Sequence, residues 1–67
     1  MNSYMVYATV SKYDEGLKAR TRTNVNTRIE AETEDKAKEI ATEQFIKDAT
    51  HALISNINVR IDLIKQV

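Results

Sequence analysis

The sequence has no cysteine, one histidine and one glycine, and its charges cancel. Without cysteine it has no disulfides, and a lone histidine cannot build a structural zinc site. The 67 residues make one domain, 1–67. For a chain this short, a stability on the order of 3–10 kcal/mol rests on an economical core or on self-association. A homodimer is therefore expected before any motif is read. No apolar run approaches the ~20 residues that span a bilayer. The start, Met1-Asn2-Ser3-Tyr4, lacks the basic and apolar run of a signal peptide. These absences lead to an expectation of a cytoplasmic protein that does not engage a membrane. Ten basic against ten acidic residues count against a free-standing nucleic-acid binder, whose affinity comes mostly from neutralising phosphates.

Tyr4 to Val10 has aromatic and β-branched residues in a pattern of alternating burial, with Tyr4, Val6, Ala8 and Val10 on one face and Met5, Tyr7 and Thr9 on the other. Tyr13-Asp14-Glu15-Gly16 contains the only glycine, a turn position expected at positive φ. A second strand runs from Leu17 to Ala31, with its apolar residues late, at Val25, Ile29 and Ala31. Two registers are open. A tight turn pairs Lys12 with Leu17, whereas a looser one sets Val10 opposite Val25 and Val6 opposite Ile29. The second matches apolar with apolar and is expected, leaving Ser11 to Asn24 as a protruding, mobile arm.

Thr33 is a good helix N-cap, followed by Glu34 and Asp35 where the helix dipole favours negative charge. Ala37, Ile40, Ala41, Phe45, Ala49, Ala52 and Leu53 then recur at helical spacing, predicting a helix that ends around His51 to Ile54. Glu34 with Lys38 and Glu43 with Lys47 are i,i+4 pairs in the favourable order. In the last segment Ile57, Val59, Ile61 and Leu63 alternate with Asn58, Arg60 and Asp62, the pattern of a sheet covered on one face. A right-handed crossover through the helix makes the second and third strands parallel. The expected fold is α+β: β-β-α-β, a three-stranded, mostly antiparallel sheet in order 2-1-3 with one helix on one face.

Catalysis has little support. His51 falls at the expected helix end, a structural position, and no nucleophile is tied to it. The helix carboxylates are interleaved with lysines as an ordinary solvated face. No enzyme activity, metal or cofactor is expected.

Charge is segregated along the chain. From Lys12 to Arg28 five basic residues face two acids, and from Glu30 to Asp48 seven acids face three lysines. Lys18, Arg20, Arg22, Asn24, Asn26 and Arg28 share one parity, so a continuous strand puts them on one face. Asn58 and Arg60, with Tyr7, belong to the same uncovered side. An uncovered face must be polar in any case, and arginine and threonine serve that purpose. Tyrosine, asparagine and arginine together also suit planar, hydrogen-bonding contacts with protein or nucleic acid. The expected role is protein binding through the hairpin and the open face. Its residues are Tyr7, Tyr13, Lys18, Arg20, Arg22, Arg28, Asn58 and Arg60. The alternative is nucleic-acid binding by the basic face, with Tyr7 or Tyr13 stacking on bases.

The strand-to-helix junction from Ile29 to Ala41, IEAETEDKAKEIA, resembles a phrase found in small phage and mobile-element proteins of β-β-α-β layout. Some anti-CRISPR inhibitors, which bind host surveillance complexes, are among them. The resemblance implies a small inhibitor or accessory factor in the host cytoplasm, acting on a nucleic-acid-handling host complex. It carries over no inhibitory residues.

Overall fold

A computed structural model describes residues 1–67. Strand β1 runs from Asn2 to Asp14, β2 from Ala19 to Ala31, helix α1 from Glu34 to Ala49, and β3 from Ile54 to Gln66. The sheet order is β2-β1-β3, and both outer strands are antiparallel to β1. β2 and β3 therefore run in the same direction with β1 between them, as the crossover requires. The molecule measures 41 × 17 × 14 Å. Its long axis matches strands of thirteen residues, which reach roughly 43 Å at ~3.3 Å per residue. A sixteen-residue helix spans only about 24 Å. The helix therefore covers little more than half of one sheet face.

The core follows from two periodicities. Tyr4, Val6, Ala8 and Val10 of β1 point to the helix, with Ile29 and Ala31 of β2 beside them. From α1, Ala37, Ala41, Phe45 and Ala49 recur every four residues on the buried side. Three of those four are alanines, so the helix backbone lies close on the strands. Thr33 caps the helix as expected: the Lys36 amide donates to its Oγ1 over 3.1 Å.

Several local expectations are corrected. The helix stops at Ala49 with Thr50 as C-cap, whose hydroxyl donates to the Ile46 carbonyl over 2.7 Å. Ala52 and Leu53 are thus exposed connector residues. His51 is exposed beyond the cap. Neither expected i,i+4 pair closes. The helix ion pair is Lys36 with Glu39, at 3.8 Å and well exposed, which contributes little.

The hairpin differs most. Ser11 to Asn24 is not a protruding arm. Ser11 pairs with Arg22, Lys12 with Thr21, Tyr13 with Arg20 and Asp14 with Ala19. The register lies between the two alternatives, with Ala8 opposite Val25, Tyr4 opposite Ile29 and Val10 opposite Thr23. The turn sets it: Asp14 Oδ1 accepts the amides of Gly16 (2.9 Å) and Leu17 (3.1 Å), closing a four-residue loop. Continuous backbone pairing then outweighs the Val10–Val25 match. Gly16 has no positive φ. Lys18 takes the left-handed conformation instead, at φ 53°.

Candidate functional site: the open sheet face

The face away from the helix is built as cross-strand rows. Asn26, Tyr7 and Leu63 form the central row, and Arg28, Met5 and Lys65 lie on one side of it. On the other side follow Asn24–Thr9–Arg60, then Arg22–Ser11–Asn58, then Arg20–Tyr13–Ser55. The pleat puts all of these on one surface because paired residues point the same way.

Seven of the eight sequence-predicted residues thus share this surface, while Lys18 sits in the exposed turn at its end. Tyr13 is half-buried and Tyr7 is 37 % exposed.

The register shift between Tyr7 and Ala8 makes Asp62 an extra residue in β3, a β-bulge. Past it, parity inverts. Leu63, expected in the core, lies on the open face at 54 % exposure, and Ile64 packs on the core in its place. A second shift in β3, between Ser11 and Tyr13, coincides with Asn56 at φ 51°.

Asp62 organises the middle of the face. Its Oδ2 accepts the Thr9 hydroxyl over 2.7 Å and its Oδ1 accepts Arg60 Nε over 2.8 Å. Arg60 Nη2 also donates to Thr9 Oγ1 at 3.4 Å, and the Asn24 side-chain amide lies 3.2 Å from that oxygen. The Thr9 bond, with that from Arg60 next, holds the Asp62 carboxyl below the usual carboxylate range. Thr9 is the one buried polar residue, and its hydroxyl is satisfied here.

The arginines fall into two groups. Arg60 is held by Asp62, and Arg20 reaches across the sheet to donate to Ser11 Oγ (2.9 Å) and the Asn56 carbonyl (3.3 Å). Arg22 and Arg28 are exposed and make no ion pair or hydrogen bond through their guanidinium groups. They, with Lys18 and Lys65, are the cations free to meet a ligand.

Sequence reasoning missed Met5, Leu63 and Lys65. Met5 was readable from its parity with Tyr7, but the bulge that turns out Leu63 leaves no such mark. No cluster of three or more His, Cys, Asp or Glu side chains has the geometry of a metal site. No helix is long and apolar enough to cross a membrane. In comparisons with known proteins, no family, no curated protein and no solved structure matches this chain.

Proposed function

We propose that this protein acts without catalysis, as a small binding module whose open sheet face docks on an acidic protein surface. The observation that carries the reading is a solvent-facing apolar centre of half-buried Met5 with exposed Tyr7 and Leu63, on a face that also carries Arg28, Lys65 and the unpaired Arg22. Protein interfaces have this anatomy: an aromatic and aliphatic centre that loses water, within a polar rim where arginine supplies directed bonds. The resemblance of the junction from Ile29 to Ala41 to small phage proteins favours an inhibitor, of the anti-CRISPR kind. Its partner is then a nucleic-acid-handling complex in the host cytoplasm.

A second reading, direct nucleic-acid binding, is favoured by the row of Arg20, Arg22 and Arg28 along one strand beside Tyr7 and Tyr13. Two of the five arginine and lysine side chains in the paired rows are, however, engaged within the sheet. The discriminating experiment is capture by the tagged chain from bacterial lysate, with and without nuclease, read by mass spectrometry. A specific partner that survives nuclease supports protein binding. Recovery that disappears with nuclease sinks it in favour of the second reading.

A further inference from the structure

We infer that the free edge of β2 pairs with the β2 edge of a second copy, antiparallel and centred on Asn26, joining two three-stranded sheets into one of six strands. Both outer strands have an unpaired edge, but they are unequally protected. β3 is broken by two irregularities, at Asp62 and near Asn56, and such bulges spoil an edge as a template. β2 pairs with β1 without a break from Ala19 to Ala31, and it contains no proline. A long, regular, uncovered edge is what strand addition uses.

The occupant is identified by charge. A two-fold axis perpendicular to the sheet requires paired residues to share a face, so the register must be centred on a residue. Centring on Asn24 sets Arg20 against Arg28 of the second copy, and centring on Val25 sets Arg22 against Arg28. Both stack arginine on arginine across strands, which is destabilising. Centring on Asn26 sets Arg22 opposite Glu30 and Asn24 opposite Arg28, each twice by symmetry. Centring on Thr27 shortens the overlap and leaves Glu30 opposite Asn24. The Val25 register also pairs Arg20 with Glu30, but the Asn26 register alone among these pairs arginine with glutamate within the strand without setting arginine against arginine.

The same register closes a groove. On the helix side, Val10, Thr23, Val25 and Phe45 line an open cleft beside β2, and Val25 is only half-buried. In the pair, Thr27 of the second copy stands next to Val25, and its Ile29 next to Thr23. On the opposite side the Asn26–Tyr7–Leu63 row continues through the axis into its twin, so the candidate binding face doubles in width. The pairing itself needs no third partner and stands independently of what that face binds.

The test is a charge exchange followed by sedimentation equilibrium of the purified chain, over roughly 5 to 500 µM. The wild type is expected to associate to a dimer. Arg22→Glu alone and Glu30→Arg alone each place like charges opposite one another twice, so each is expected to weaken association about tenfold or more. The double variant Arg22→Glu with Glu30→Arg is expected to restore it. Both positions of this exchange, Arg22 and Glu30, are exposed, and circular dichroism checks that each variant is folded. Because the chain has no cysteine, Asn26→Cys adds an independent readout: mild oxidation is expected to cross-link two copies, whereas Asn58→Cys on β3 is expected not to. A wild type that stays monomeric overturns the inference. So does association insensitive to the single reversals, a double variant no better than either, or cross-linking at Asn58→Cys rather than Asn26→Cys.

Discussion

The Thr9 hydroxyl donates to the Asp62 carboxylate over 2.7 Å, tying the central strand to the bulge of β3 on the open face. Asp62 in turn holds Arg60, so one carboxylate fixes the orientation of a cation in the candidate site. Because its folded-state pKa is lowered, its stabilising contribution is present above the unfolded value of about 3.9. That contribution is lost as pH falls through the lower, folded value. Thermal unfolding is therefore expected to lose stability as pH drops below about 4. Asp62→Asn should lower the melting temperature at neutral pH and flatten this acid limb. A variant with an unchanged acid limb contradicts the assignment.

Arg20 and Arg22 are neighbours on one strand face with different tasks. Arg20→Ala removes two bonds that cross the sheet and is expected to cost about 1 kcal/mol in urea unfolding. Arg22→Ala removes no bond within the chain and should stay within about 0.5 kcal/mol of wild type. Equal effects would show that the Arg20 bridge has no weight in solution.

Lys18 holds a left-handed backbone at φ 53°, where a side chain is disfavoured and glycine is not. Lys18→Gly is expected to stabilise by about 0.5–1 kcal/mol, read from the shift in denaturant midpoint. Gly16→Ala meets a different constraint: an added Cβ would lie 3.1 Å from Asp14 Oδ1, the acceptor that sets the turn. It is expected to destabilise, although Gly16 is the residue that looks like the turn glycine.

Ala41 is fully buried where α1 meets the sheet. Ala41→Leu must lift the helix off the strands and is expected to cost about 1–3 kcal/mol. Chemical denaturation measures this directly, and a neutral result would mean that the helix does not sit as close as its alanines permit.

The sequence made the faces legible but not the registers. Alternation in β1 correctly separated Tyr4, Val6, Ala8 and Val10 from Met5, Tyr7 and Thr9, because one-sided burial enforces parity. Setting Val10 opposite Val25 rather than Thr23 is a slip of two residues, which keeps every side chain on its face. Apolar patterning therefore cannot choose between them. The deciding contact, Asp14 with the amides of Gly16 and Leu17, belongs to the turn. Ile57 to Leu63 alternated without interruption, so nothing in it marked the bulge at Asp62. That bulge moves Leu63 to the surface and brings Ile64 to the core. The basic face was foreseen as a set of residues, but their division into engaged Arg20 and Arg60 and free Arg22 and Arg28 depends on distances.

The apolar centre of the open face is the core of the proposed function. The most direct measurement is calorimetric titration of the captured partner with Tyr7→Ser/Leu63→Ser, beside Glu39→Lys/Glu43→Lys on the exposed side of α1. The open-face pair is expected to weaken binding by at least about 2 kcal/mol, roughly thirtyfold, as loss of a buried interface centre does. The helix pair should leave affinity nearly unchanged. Full affinity with Tyr7→Ser/Leu63→Ser, and loss with the helix pair, would contradict the account.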